Sequence, residues 1–444
     1  MGEWSECLVG DLCDEGLAEL QTGPFGSQLH AYDYVENGVA VVPTEAIRDR
    51  KINHEVLPKI TEEKAAELSR HRLIPGDILF ARRGVQATGH IGFVREAEDG
   101  FICGTAAIRL RLSGPTTKAP PEYLSHVFAN PASVAWFKYH AIEATMPNLN
   151  EGIIRSFPLS LPDLNVQNQI AELLSALDDK IELNRRMNET LEAMARAIFK
   201  DWFVDFGPTR AKAEGCAPYL APEIWDLFPD ALDDEDKPVG WELSEIGKEV
   251  EAVGGATPST KDPSFWEDGE HHWATPKDLS KLASPVLLDT DRKITDAGVK
   301  KISSGLLPVG TVLLSSRAPI GYLAIAEVPT AVHQGFIAMV CRNRLSNIFV
   351  LFWCYENLDY IKGISGGSTF AEISKKVFRP VPVVVPSEQA VAAYEGFFRP
   401  LYDRIVANTK ESASLALTRD LLLPKLMSGE IRLAEAEKAV EAVA

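Results

Sequence analysis

The sequence predicts an α+β protein: two mixed α/β modules joined by two long antiparallel coiled-coil helices, arranged with pseudo-two-fold symmetry. Three observations lead to this. The chain repeats itself at a constant offset of 224 residues (408 − 184), with Thr145, Ile153, Pro162, Asp179, Ile181, Asn184 and Leu191 recurring as Thr369, Val377, Pro386, Asp403, Ile405, Asn408 and Leu415. Each copy ends in a long segment with a seven-residue apolar repeat. Each is preceded by a stretch of dissimilar sequence that reads as strands and short helices. Duplication on this scale implies an internal two-fold axis, which would reverse one helix relative to the other.

The elements follow in order. Trp4 to Gly10 has the spacing of Trp241 to Gly247, so both modules open alike. Phe101-Ile102-Cys103 and Ile108 to Leu112 read as strands, the latter with a polar face. Pro75-Gly76-Asp77 is a turn feeding the apolar strand Ile78-Leu79-Phe80, echoed by Val309-Gly310-Thr311 before Val312-Leu313-Leu314, with Arg83 opposite Arg317. Thr61-Glu62-Glu63-Lys64 is a capped helix start rather than the tail of a nuclease motif.

Phe157 to Pro162 forms a Pro-bounded strand before a helix from about Gln167 to Phe203, and Val381 to Pro386 does the same before one from about Glu388 to Lys425. Ile170, Leu177, Asn184, Leu191 and Ile198 form one seam, flanked by Leu173, Leu174, Ile181, Met187 and Met194. Tyr394, Leu401, Asn408, Leu415 and Leu422 form the other, beside Phe398 and Ile405. A matched seam asparagine, Asn184 and Asn408, is expensive unless its amide finds a partner, so the pair is expected to fix helix register. The alternative is that each faces solvent on a drifting stripe.

The chain has 444 residues, 45% of them hydrophobic, enough for two or three domains with cores of their own. No apolar run approaches the ~20 residues of a membrane span. Met1-Gly2-Glu3-Trp4 lacks the features of a signal peptide. Cys7, Cys13, Cys103, Cys216, Cys341 and Cys354 form no paired framework, so a reduced, cytoplasmic protein is expected. The net charge of −18 argues at first against a polyanionic partner. Its distribution weakens that objection: residues 21–160 carry 15 basic against 15 acidic side chains, and residues 240–386 carry 15 against 16. The excess acid lies largely in the first twenty residues and in the Pro- and Gly-rich stretch 204–239, whose Asp233 to Asp236 run reads as solvated rather than metal-binding.

Catalytic signatures are missing. Gly247-Lys248 is followed by Glu249, so it is no phosphate loop, and Gly23-Pro24-Phe25-Gly26-Ser27 lacks the strand and full glycine pattern of a dinucleotide site. His271-His272 has no third ligand at metal-binding spacing. The sequence contains no Asn/Asp-Pro-Pro-aromatic motif of the kind amino-methyltransferases use. No catalytic residue and no metal site is assigned.

The stretch KDWFVDFGPTRAKAEG, Lys200 to Gly215, closely resembles the specificity (S) subunits of type I restriction–modification systems. So do TGPFGS at Thr22–Ser27, PGDILFARRG at Pro75–Gly84, GGATPS at Gly254–Ser259 and LLLPKLMSGEIRL at Leu421–Leu433, in an order that covers nearly the whole chain. TPKDL at Thr275–Leu279 fits the family, whereas the first module has VPTEAI there, and Val309-Gly310-Thr311 replaces Pro-Gly-Asp. The two modules are therefore expected to use different versions of one fold and to read different bases.

The resemblance implies a domain map: 1–162 target recognition domain 1, 163–203 central conserved helix, 204–239 linker, 240–386 target recognition domain 2, 387–433 C-terminal conserved helix and 434–444 tail. It implies a non-catalytic chain that recognises a bipartite site in double-stranded DNA and positions two modification (methyltransferase) subunits and the restriction subunits, with no membrane partner. S-adenosylmethionine, Mg and ATP are expected in those partners and no cofactor in this chain. The alternatives are a specificity subunit of a methylation-only or other phage-defence complex, or a helical protein-interaction scaffold.

Arginine on guanine and Asn or Gln on adenine are the commonest base-specific pairs, while other polar groups position the backbone. Residues of these types in loops or at strand ends are the candidate DNA contacts. They are Ser27, Gln28, Arg48, Arg82, Arg83 and Gln86 in the first module, and Thr257, Ser259, Lys261, Lys277 and Arg317 in the second. Arg83 and Arg317 stand out because the duplication kept both beside the same strand; a structural ion pair would explain them equally. Met146 to Asn150, Gly363 to Gly367 and Ser368-Thr369 form polar junctions before the helices and could contact DNA or the methyltransferase, or act as hinges.

Overall fold

The computed structural model describes residues 4–113, 118–141, 147–366 and 371–441. It divides into two compact units, Met1–Lys180 with Ser414–Ala444, and Ile181–Ala413. Each unit therefore draws on both long helices.

In the first unit the central sheet has the order Ala18–Thr22, Ala107–Leu112, Ile78–Ala81, Ile91–Phe93, all antiparallel. The apolar run Ile78-Leu79-Phe80 is buried on both faces, which is why it reads as continuous rather than alternating. One face packs on aromatics: Phe80 meets Phe128 and Phe137 edge-on at 5.1 and 5.3 Å. Leu422, Leu423 and Leu426 of the second long helix close the same core. A smaller sheet, Ile102–Cys103, Val39–Val42, Lys59–Ile60, Tyr34–Val35, lies beside it.

The second unit repeats this plan. Its larger sheet runs Glu251–Val253, Phe336–Val340, Val312–Ser316, Ile320–Ala326, Val286–Leu287, and its smaller one Lys293–Ile294, His271–Ala274, Thr330–Val332. Both units close with the same two-stranded clasp, Ser5–Leu8 on Pro158–Leu161 and Glu242–Glu245 on Pro382–Val385. The duplication thus preserves backbone pairing where the intervening sequence has diverged.

The long helices span Leu164–Phe203 and Glu388–Ser428. Their antiparallel course is seen within each unit. In the second, the Tyr394 hydroxyl donates to the Ala195 carbonyl and the Asn408 amide to Asn188, while in the first Arg419 meets Asp178, so numbers fall on one helix as they rise on the other. The seam drifts as a 3.6-residue helix must against a seven-residue repeat. By the end of the first helix Ala195 and Phe199 are buried, whereas Met194, expected beside the seam, is 46% exposed. The second helix runs on through Pro400 and Pro424. The missing N–H of Pro400 costs one helical bond, but Tyr394, Phe398, Tyr402 and Ile405 are buried on either side and hold the helix together.

Residues 204–239 are more than a connection. They form helices Gly207–Ala213 and Pro222–Trp225 and bury Phe206, Trp225 and Phe228, with Phe206 and Phe228 in the core of the second unit. Aromatic burial overrides a composition that reads as a linker. The acidic run remains at the surface, Asp233 accepting from Lys237 and Asp236 from Arg210. Among the described residues no helix is long and apolar enough to cross a membrane.

Candidate nucleic-acid interface

Strand register brings the candidate loops of each unit to one sheet edge. In the first unit Thr22 pairs with Ile108 and Ala81 with Ala107, so the strand carrying Thr22 ends, and the strand carrying Ala81 ends, at the same side. Ser27 and Gln28 follow the first exit; Arg82, Arg83 and Gln86 follow the second. The Gly23 and Arg82 amides donate to the neighbouring carbonyls of Ala107 and Ala106, fixing both departures. Gly23 is required there, because a Cβ would lie 1.9 Å from the Gly104 carbonyl oxygen.

Arg48 arrives beside them. It is exposed, ion-paired with Asp49 at 3.4 Å, and Asp49 in turn approaches His90 at 3.4 Å, in the turn that follows Arg82 and Arg83. The His90 contact holds the Asp49 carboxyl below the usual aspartate range. Arg83 and Gln86 are exposed with Val85 between, whereas Arg82 is half-buried. The Arg82 guanidinium donates to the Asn148 side chain and the Leu149 carbonyl, both at 3.0 Å, so its task in this structure is to hold the junction before the first long helix. The Gln28 side-chain oxygen accepts from the Phe25 amide at 3.0 Å; Gln28 and Ser27 are both exposed.

The second unit places Val253 opposite Ala338, and Ser315 opposite Phe336, at the corresponding edge. Thr257, Ser259 and Lys261 leave from one strand and Arg317 from the next. Gly255 is constrained at the matching turn: a Cβ would lie 1.6 Å from the Val332 carbonyl oxygen and 2.8 Å from that of His333. Two indoles anchor the loop, Trp273 donating to the Ala256 carbonyl at 3.2 Å and Trp266 to that of Ser259 at 2.9 Å, with the Arg292 guanidinium stacked 3.6 Å above Trp266. Ser259 and Lys261 are exposed, while the Thr257 hydroxyl is buried without a partner among the described residues. Lys277 stands exposed on the short helix Pro276–Leu279, 3.7 Å from Asp291.

Arg83 and Arg317 occupy equivalent places. Arg83 forms an isolated bridge with Asn148 and Arg317 with Glu372, and those partners are themselves 224 residues apart (372 − 148). The side chains differ in commitment: Arg83 donates to Asn148 at 3.3 Å, whereas Arg317 faces the Glu372 carboxylate at 3.7 Å. The sequence pointed to the arginines and to the junction that holds Asn148, but not to the Arg83–Asn148 pairing or to Glu372, whose only signal was the shared offset. The junction residues Met146, Gly367, Ser368 and Thr369, and the repeat pair Thr145 and Thr369, lie outside the described residues.

Asn184 and Asn408 are both 1% exposed, so neither faces solvent. Their amides do not bond each other side chain to side chain. Asn408 donates to the side-chain Oδ1 of Asn188 at 2.9 Å, and Asn184 donates to Glu411 at 2.8 Å and Ser412 at 3.3 Å. Asn188 went unnoticed because Ser412, its mate under the repeat (412 − 188 = 224), is a different residue.

No described cluster of three His, Cys, Asp or Glu could hold a metal ion. The two edges offer hydrogen-bond donors, cations and amides on loops that leave strand ends, an arrangement suited to reading a polyanion. Two such edges on a duplicated frame define a class, a double-headed recognition protein. The sequence matches the family profile described as "Type I restriction modification DNA specificity domain" over residues 33–193 and 238–409. The chain belongs to this family, whose specificity subunits are non-catalytic. It is 24% identical to the type I restriction enzyme HindI specificity subunit of Haemophilus influenzae over 97% of this chain and all of that one. A 179-residue stretch, 39% of this chain and 40% of the relative, is 36% identical to the MjaIX specificity subunit of Methanocaldococcus jannaschii. The fold is similar to that of the type I S subunit from M. genitalium, with a TM-score of 0.57 and 15% identity over 96% of both chains.

Proposed function

We propose that this chain reads a bipartite sequence in double-stranded DNA for a type I restriction–modification assembly, and positions two modification subunits, with restriction subunits, on that site. The observation carrying this reading is the repetition of one strand edge in two units: the frame recurs, down to Gly23 and Gly255 and the Arg83 and Arg317 bridges, while the loop residues differ. A common frame with divergent loops suits two heads that approach DNA alike and read different bases. The adenine methylation and cleavage of the assembly belong to the partners, which carry S-adenosylmethionine, Mg and ATP. Ser27, Gln28, Arg48, Arg82, Arg83, Gln86, Thr257, Ser259, Lys261, Lys277 and Arg317 are the proposed contacts, with Arg82 acting chiefly through the loop it holds.

The test is selection from a random duplex pool by the full chain assembled with its modification subunits. The expected outcome is two short conserved blocks separated by a spacer of fixed length and free sequence. Enrichment of one block, or of none, contradicts the proposal.

A further inference from the structure

We infer that His333, unassigned by the sequence motifs, is a base-reading residue of the second unit, presenting its Nε2–H as a fixed donor to an acceptor on a base edge in the major groove. The inference rests on the reading of this edge as the DNA-facing one.

His333 sits where the strand Thr330–Val332 leaves its sheet and turns into Phe336–Val340. Its ring chemistry is settled by one bond. The Gly335 backbone N–H lies 2.9 Å from Nδ1, and because an amide can only donate, Nδ1 must be the bare acceptor nitrogen. The proton of the neutral ring therefore resides on Nε2, the atom left without a partner among the described residues.

The ring is also held in place. The His333 amide donates to the Ala274 carbonyl at 2.9 Å, its carbonyl accepts from Phe336 at 3.2 Å, and the Gly335 carbonyl accepts from Ser316 at 2.8 Å. Trp273 meets the imidazole edge-on at 5.5 Å. Burial, then the Arg317 charge, lowers the His333 pKa below its ordinary value, so the ring stays neutral and keeps the tautomer that Gly335 selects.

Arg317 and Gln334 complete the setting. The Arg317 side chain passes over Gly335, where a Cβ would lie 3.3 Å from its Cγ, and Gln334 is exposed next to His333. A neutral, preoriented single donor between a cation and an amide is poorly matched to phosphate, which rewards charge. It is well matched to guanine O6 or N7, adenine N7 or thymine O4. In the first unit the chain at this turn reads Cys103-Gly104-Thr105, so Gly104 stands at the equivalent place with no side chain to read. The effect should therefore be confined to one half of the recognised site.

The experiment compares wild-type, His333→Ala and His333→Gln chains, each assembled with the modification subunits, by selection from a random duplex pool. His333→Ala should lower discrimination at a single base pair in one half-site by about ten-fold, leaving the other half-site intact as an internal sign of folding. His333→Gln, which keeps an N–H donor, should restore part of the preference. With wild-type protein, 7-deazapurine or 4-thiothymine at that base pair should weaken binding, and should not do so with His333→Ala. Unchanged preference, or a uniform loss of affinity marking a phosphate contact, overturns the inference. If His333→Ala fails to assemble, the wild-type analogue series decides it: no sensitive acceptor in either half means no such reader. Failure of wild-type protein to select any two-block site would instead defeat the proposed function.

Discussion

At the scale of single residues, burial decides which polar groups are structural. His126 is 1% exposed and donates from Nε2 to the Ser175 hydroxyl at 3.2 Å, whose own hydrogen goes to Glu122 at 2.7 Å. Burial, reinforced by Arg50, Arg419 and Arg95, lowers its pKa well below 6.5. The unfolded chain binds a proton near pH 6.5 and the native one does not. His126 therefore contributes fully above that pH, and its contribution is lost as pH falls, by about 1.4 kcal/mol per pH unit. His126→Gln keeps a donor toward Ser175 and should flatten that slope. Urea titrations of both proteins between about pH 5 and 7 check this, and equal slopes would show that His126 is protonated in the native state. The Arg50–Asp178–Arg419 cluster beside it was illegible in the sequence, since nothing in the spacing of 50, 178 and 419 announces contact.

At the scale of elements, the heptads made both helices legible and even their polar layer visible, but not its wiring. The repeat relates Asn184 to Asn408 and Asn188 to Ser412, so Asn184–Ser412 and Asn408–Asn188 are one contact written twice. The second copy is the better bond. Asn408→Leu should leave the buried Asn188 side-chain Oδ1 without its donor and destabilise the chain by about 1–3 kcal/mol. Adding Asn188→Leu removes the orphaned group and should recover most of that loss. Thermal unfolding of the single and double variants measures it; a double variant weaker than the single would mean the layer is held by packing rather than by this bond. The same polar layer, proposed to fix register, should when made apolar broaden the spacer length tolerated in methylation assays. What the sequence could not convey was drift: Met194 fits a strict seven-residue repeat and yet faces solvent, because a helix of 3.6 residues per turn falls about 20° short of two full turns in each heptad.

At the scale of the whole molecule, the duplication was the most legible feature because it is written in the frame, at turns, clasps and seams where backbone geometry limits the choice of residue. The proposed reading residues were less legible because loops carry few such limits. His333 had no motif at all, and it emerged only from the amide that fixes its tautomer. The linker misled for the opposite reason, its acid and proline hiding Phe206, Trp225 and Phe228 in the core. The central claim is that the two units read independently, one half-site each. Exchanging residues 21–160 for the same segment of a relative, assembling the complex and sequencing the methylated adenines in treated DNA tests it most directly. The expected outcome is one modified adenine in each half, on opposite strands, with one half of the motif replaced by the relative's and the other unchanged. A swap that altered both halves, or a chain that methylated DNA without its partners, would contradict it.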